Sequence, residues 1–320
     1  MSGVPVSVVM PLFNKQRQVS GSVHSVLGQT CGDFELIIVD DGSTDRSREV
    51  VASIEDRRIR VIDQKNSGVS SARNRGIAAA GADLIAFCDA DDEWEPRHLE
   101  ALLGLAARFP EASVFATGYV IAERGGRPRT NILRGLSGGF EEGYLENYFR
   151  VAAGSDPPLH TSSVAATRQA LHAVGLFPVG VHTGEDLLTW ARLAERCRIA
   201  YQRRPSAIFR APGRVTDRPG RTPAEPDVVG GELARMLART PEGTAGELAA
   251  YLALWHRMRG VVYLKLGNRR RARTEFGRAL RRGGWSFKAG SLWLLGLLPR
   301  AGSVFERLEQ RRNWLREVCR

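Results

Sequence analysis

Residues 84–96 read LIAFCDADDEWEP, an apolar run that ends in four carboxylates within five positions: Asp89, Asp91, Asp92 and Glu93. Like charges this close repel, and each loses hydration as it nears an apolar wall, so something positive is needed beside them. The candidates are Arg or Lys of the protein, water alone, or a metal ion. Working outward, three more apolar runs share this make-up: VSVVMPL (6–12), FELIIVD (34–40) and RIRVID (58–63). They are short and rich in Val, Ile and Phe, as strands buried on both faces are. Helical spacing fills the intervals, at about 17–29, 45–55 and 69–80. Alternating strand and helix predicts an α/β domain with a parallel sheet and right-handed crossovers. Ligands of open α/β sheets bind outside the carboxyl ends of the strands, and three strands here end in polar clusters, PLFN, VDDGSTD and DADD.

The 320 residues are 43% hydrophobic, enough for one large domain with an appendage. Cys31, Cys88, Cys197 and Cys319 form no CxxC pair and read as reduced thiols rather than a metal or disulfide framework. The start MSGVPVSVVMPLF lacks a basic region and a signal-length apolar core, so the expected compartment is the cytoplasm. Net charge is +11, unevenly spread: residues 251–320 hold 17 Lys or Arg against 4 Glu, and the first 250 hold 29 basic and 31 acidic residues. This asymmetry predicts a basic appendage that meets an anionic surface, with peripheral contact to the cytoplasmic membrane face preferred over nucleic acid.

Residues 122–158 are rich in Gly, Arg and Pro and read as loops with one short helix over FEEGYLENYF (140–149). A strand and short helix follow in LHTSSVAATRQALHAVGLFP (159–178). HTGEDLLTWARLAERC (182–197) predicts a helix with a capping Thr183 or an acidic first turn, and RIAYQRR (198–204) a strand. These changes set the boundaries: a domain over 1–210, a Pro- and Gly-rich linker or mobile loop over 211–228, and a basic α-helical region over 229–320. Gly260, Tyr263, Gly267, Ala272, Phe276 and Ala279 are spaced as in one tetratricopeptide-type hairpin, with no second copy, so an antiparallel helix pair is expected. AGSLWLLGLL (289–298) is about half the length that spans a bilayer and suits a buried or interfacial helix.

A nucleoside diphosphate at such a sheet edge needs acceptors for base and ribose and a divalent cation for its pyrophosphate. Asp40 and Asp41, on a turn with Gly42 and Ser43, can serve base or ribose, while Asp89 and Asp91 can serve ribose and a hard cation. Mg²⁺ and Mn²⁺ favour oxygen ligands and often take only one or two protein carboxylates. Taken in order, VSVVMPLFNK, IIVDDGSTDRS, NSGVSSARNRGIAAAGADLIAFCDADD and GEDLLTWARLA resemble a family 2 glycosyltransferase of the GT-A fold, over roughly residues 5–210.

The resemblance implies a GT-A type, Rossmann-like, mostly parallel sheet flanked by helices, with the C-terminal helices as an appendage. It implies inverting, metal-dependent transfer of a single sugar from a nucleotide-diphosphate sugar, most readily a UDP-sugar, to a saccharide, lipid-linked or small-molecule hydroxyl. Residue by residue, it places Pro11, Phe13 and Asn14 in the nucleotide pocket, Asp40 on the base with Asp41 supporting the turn, and Gly68, Arg73 and Asn74 beside the nucleotide. Its Asp-x-Asp falls on Asp89-Ala90-Asp91, with Asp89 on ribose and Asp91 on Mg²⁺ or Mn²⁺. Its Glu-Asp pair falls on Glu185-Asp186, with Asp186 as the base that takes the acceptor proton and Glu185 as its neighbour. The Gln-x-x-Arg-Trp motif of processive members is missing, since Gln310 to Trp314 has Asn in the Arg position and comes far too late.

Plainer roles compete for several of these residues. Asp41 and Ser43 suit turn formers, Asp45 a helix cap, and Arg73 a stabilising ion pair. Asp92 and Glu93 precede Trp94 and Pro96 and suit the acidic first turn of a helix. A non-catalytic nucleotide-sugar-binding or assembly protein is the rival function, disfavoured by the intact Glu185-Asp186 pair. A sugar-1-phosphate nucleotidyltransferase would begin with a Gly-rich, Arg-containing phosphate loop, and MPLFNKQRQ is not one.

Overall fold

Every apolar run that opens the chain becomes a strand. β1 (Ser7–Leu12) is buried along its whole length and lies between β2 (Glu35–Asp40) and β4 (Leu84–Phe87), parallel to both, with β3 (Ile59–Asp63) parallel on the far side of β2. The crossovers carry α1 (Val19–Leu27), α2 (Ser47–Ala52) and α3 (Val69–Ala79). α3 approaches β1 closely because residue 76 is glycine: a Cβ there would sit 2.4 Å from Val9 Cγ1. The structure, a computed structural model, describes residues 5–123, 126–211 and 222–283. They fall into two compact units, the first ending at Pro212.

Beyond β4 the sheet becomes mixed. β9 (Val164–Thr167) runs antiparallel between β4 and β6 (Ala112–Glu123), and β10 (Arg198–Ala211) lies parallel to β6. β5 (Glu93–Trp94) and β8 (Glu142–Tyr144) pair antiparallel with β10, and β7 (Arg129–Thr130) with β6. Helices α4 (His98–Arg108), α5 (Tyr148–Gly154), α6 (Arg168–Ala173) and α7 (Glu185–Arg196) complete the first unit. The architecture is therefore the expected α/β one, with its parallel strands β3-β2-β1-β4 at one end.

Local readings fail at two places. FEEGYLENYF is a strand and the start of a helix, not one helix, because Glu142 and Tyr144 pair with Gln202 and Ala200 on the edge of β10. Asp92 and Glu93 do not open a helix: they lead into β5, and α4 starts only at His98. Asp92 is drawn inward by hydrogen bonds instead, and Glu93 pairs with Arg210 at 2.7 Å. Strand β6 is the longest neighbour of β10.

The second unit holds α8 (Val228–Arg239), α9 (Glu242–Lys265) and α10 (Arg269–Gly283). Asp227 caps α8, its carboxylate accepting the Gly230 N–H at 2.9 Å. The chain reverses between α9 and α10 at Gly267, whose φ of 78° is open to glycine without strain. At Gly260 a Cβ would meet the Phe276 ring at 2.4 Å, so glycine lets the two helices close on each other, and Tyr263, Leu264, Ala272 and Phe276 form the buried seam. The expected helix pair is present. No described helix is long and apolar enough to cross a membrane. Most of the expected linker, AGSLWLLGLL and the Gln310–Trp314 stretch lie outside the described residues.

Candidate active site at the strand ends

The parallel strands bring the polar clusters to one edge. At the end of β1, Phe13 is 43% exposed, and Asn14 takes the left-handed conformation (φ 53°) that asparagine tolerates. Asn14 Oδ1 accepts the N–H groups of Thr44 and Asp45 at 2.8 and 3.2 Å, which ties the end of β1 to the turn after β2. Within that turn Asp40 is buried and accepts both the N–H and the hydroxyl of Ser43. Asp41 accepts from Gln64 Nε2 and the N–H groups of Ser67 and Gly68 at 2.7–2.9 Å, so it pins the loop that leads into α3. Gly68 holds φ 90°, and the side chain it lacks would face His182 Cε1 at 3.8 Å. Asp45 accepts the N–H of Ser47 and organises the start of α2.

Beyond the end of β4, Asp89, Asp91, Asp92 and Glu93 are each accommodated differently. Asp89 accepts from Arg73 Nη2 at 2.8 Å, and Arg73 Nη1 reaches Glu185 at 3.3 Å. Arg73 is only 3% exposed and lies over the Phe177 ring. Burial works against its charge, yet Asp89 and Glu185 outweigh that and hold the guanidinium firmly protonated. Asp91 pairs with Lys15 Nζ, and Glu93 pairs with Arg210. Asp92 is 1% exposed, accepts from the Ser162 hydroxyl at 2.6 Å and the Arg210 N–H at 2.9 Å, and is pushed up to about 8 by burial and then by the charge of Asp89. Ser162 also accepts the Asp89 N–H, so one hydroxyl ties the Asp89 backbone to the Asp92 carboxylate. His160 is stacked against Tyr119 and Phe209, with Nδ1 3.8 Å from Asp92 and without a hydrogen-bond partner.

The acidic pair begins α7 directly after Gly184, whose positive φ turns the chain; Thr183 supplies no cap. Trp190 and Leu193 anchor this helix, and the Trp190 ring packs with Phe87 of β4 and with Phe177 at 6.0 and 5.5 Å between centroids. Asn74 spends both ends of its amide on the Phe177 backbone, fixing the segment that runs up to α7. Glu185 is pushed up to about 7, by burial first and by the Asp186 charge second, with Arg73 opposing both. Asp186 stands beside it in the first helical turn.

Pro11, Phe13, Asn14, Asp40, Asp41 and Gly68 thus line one side of the edge, and Asp89, Ala90 and Asp91 the other. Arg73 joins that second side to Glu185 and Asp186. Lys15, Ser162, His160 and Arg210 belong to the same group of contacts, and no local pattern marks them. The donor set suits a hard cation: Asp91 offers carboxylate oxygens, is 26% exposed, and is paired with a lysine that is itself 35% exposed. Among the described residues, another set of potential ligands, Asp227, His256 and Glu275, lies in the second unit with its donor atoms within 4.8 Å of one another.

The strand ends that carry these groups lie within a match to a known family. The sequence model described as Glycosyl transferase family 2 covers residues 7–173. An uncharacterized glycosyltransferase of Nostoc sp. is 43% identical over 101 residues, 31% of this chain and 31% of its own length, so the shared part is less than a third of that relative. The glycosyltransferase TuaG of Bacillus subtilis is 31% identical over 199 residues, which cover 61% of this chain and 74% of TuaG. Among solved structures, S. aureus TarS 1-349 in complex with UDP-GlcNAc matches with a TM-score of 0.67 at 16% identity, over 94% of this chain and 89% of that one, a likeness of fold. Since the family match spans just over half of the 320 residues and takes in Asp40, Asp41, Arg73, Asp89 and Asp91, the chain belongs to glycosyl transferase family 2.

Proposed function

We propose that the chain transfers a single sugar, with inversion, from a nucleotide-diphosphate sugar to a hydroxyl of a saccharide, lipid-linked or small-molecule acceptor. The observation that carries this reading is Arg73, which holds Asp89 on the donor side and Glu185 on the acceptor side of one guanidinium. A UDP-sugar is the preferred donor; the fold it shares with TarS was solved around UDP-GlcNAc.

In this reading the exposed Phe13 ring and Asp40 receive the base, Pro11 and Asn14 shape the pocket wall, and Asp89 receives ribose. Asp41, Gly68 and Asn74 hold the surrounding loops. Asp91 would hold Mg²⁺ or Mn²⁺, which supplies charge neutralisation for the diphosphate. Lys15, now on Asp91, is placed to turn to the diphosphate oxygens. Asp186 takes the proton of the acceptor hydroxyl as its oxygen bonds to the anomeric carbon and the bond to the diphosphate breaks, with the electron pair leaving on the nucleotide. Glu185 stays beside it, fixed by Arg73. The basic C-terminal region is assigned, in the same proposal, to peripheral contact with an anionic membrane face.

Two substitutions separate the roles. Asp91→Ala abolishes metal-dependent donor binding, whereas Asp186→Ala leaves donor binding intact and lowers transfer by about 10²–10⁴-fold, the usual weight of a general base. Substantial transfer by Asp186→Ala in a radiolabelled-donor assay would place the base elsewhere.

A further inference from the structure

The second unit contains a cavity of about 430 Å³ lined by Asp227, Gly230, Gly231, Ala234, His256 and three arginines, Arg278, Arg281 and Arg282. Its carboxylates are already committed. Asp227 accepts from the Gly230 N–H at 2.9 Å and from Trp255 Nε1 at 3.1 Å, and Arg259 Nε lies 3.4 Å from it. Glu275, which underlies His256, is held by Arg259 at 3.4 Å and Arg278 at 3.0 Å. Burial works to raise the Glu275 carboxyl, but the hydrogen bond with His256 and the charge of Arg259 overturn it and keep it below the ordinary range.

A divalent cation on Asp227, His256 and Glu275 would have to enter against Arg259, whose guanidinium is 5% exposed and already lies between both carboxylates. The surroundings favour the opposite charge. Arg281 and Arg282 are exposed and have no ion-pair partner among the described residues. His256 is 7% exposed, and with Glu275 ionised its Nδ1 carries the proton towards that carboxylate at 2.7 Å. The ring nitrogen left for a ligand in the cavity is Nε2, which accepts from a protonated phosphate oxygen, or donates to an ionised one when the ring is charged. Forked guanidinium donors beside an oriented imidazole make a set that matches the several acceptor oxygens of a phosphate.

We propose that this cavity is a phosphate-binding subsite, separate from the strand-end site, which takes the phosphate of a phosphomonoester or phosphodiester on Arg278, Arg281, Arg282 and His256. It stands independently of the sugar-transfer reading, because none of its residues belongs to the first unit. A phosphate can reach it on a soluble molecule or as a lipid headgroup, and the test separates the two.

The full chain is titrated with inorganic phosphate, observed by ³¹P line broadening in the presence of a chelator that silences metal-dependent binding at the strand ends. Saturable binding is expected, weakened at least tenfold by Arg281→Gln with Arg282→Gln. It is expected to persist when Arg269→Gln and Arg270→Gln remove the same charge at the other end of α10. All four side chains are exposed, and matched far-UV circular dichroism verifies folding. Absence of saturable binding, equal weakening by both pairs, or no effect of the 281/282 pair overturns the proposal. In a parallel flotation, retention on phosphatidylglycerol but not phosphatidylcholine vesicles, lost only in the 281/282 variant, supports the site with a headgroup as its ligand. Phosphate binding with equal recovery on both vesicles supports it with a soluble ester.

Discussion

At the residue scale, the repulsion implied by LIAFCDADDEWEP is removed by distributing it. Asp89, Asp91 and Glu93 each receive a different cation, while Asp92 is buried where it retains a proton to about pH 8. Glu185 follows the same logic with one difference: its cation, Arg73, is shared with Asp89, so burial and Asp186 prevail and the carboxyl rises from 4.5 to about 7. A raised acid binds its proton more tightly in the folded state, so its contribution is fully present below about pH 4.5 and is lost as pH climbs through about 7. Glu185→Gln cannot ionise, so its stability relative to the parent should grow as pH rises across that window, by an amount on the order of 3 kcal/mol at the upper limit. Urea denaturation of both proteins at a series of pH values checks this. A difference independent of pH would mean that Glu185 titrates normally.

At the element scale, α7 reaches the site because an aromatic group, Phe87, Phe177 and Trp190, locks it to β4 and to the segment before it. Trp190→Ala should cost about 3–5 kcal/mol, the range for emptying a large aromatic site, and should reduce transfer more than donor binding because it loosens Asp186. Trp190→Phe is expected to cost much less, since the indole N–H has no hydrogen-bond partner to lose. Chemical denaturation combined with donor-binding and transfer assays distinguishes the two. The strands that feed this arrangement are legible one by one, as buried strands carry unbroken apolar runs. β8 and the β5 segment are not, because each is a short edge piece stabilised by β10, more than fifty residues away in sequence.

At the scale of the whole molecule, donor binding should stabilise the chain by ligand linkage. A nucleotide-sugar at a hundredfold excess over its Kd adds about 2.7 kcal/mol. For a domain of about 200 residues that moves the melting midpoint by roughly 5–10 °C. A thermal-shift screen of nucleotide-sugars should show the largest rise with a UDP-sugar in Mn²⁺, and equal shifts in Mn²⁺ and chelator would exclude metal-assisted binding. The same scale holds the charge asymmetry. Its excess is legible from composition alone, but the face of α10 that carries Arg278, Arg281 and Arg282 to a cavity exists only once Ala272, Phe276 and Ala279 are buried against α9.

The sequence by itself determined the α/β alternation, the strand ends that bear Asp40, Asp89 and Asp91, the acidic start of α7 and the basic helix pair, because all of these are periodicities or short-range clusters. Only the tertiary structure decided which charges meet. That Arg73 would join Asp89 to Glu185, Lys15 pair with Asp91, Ser162 couple Asp89 to Asp92, and Asp92 turn inward rather than open a helix are contacts between residues 16 to 118 positions apart. Their partners are chosen by sheet order and burial, and a linear pattern carries neither.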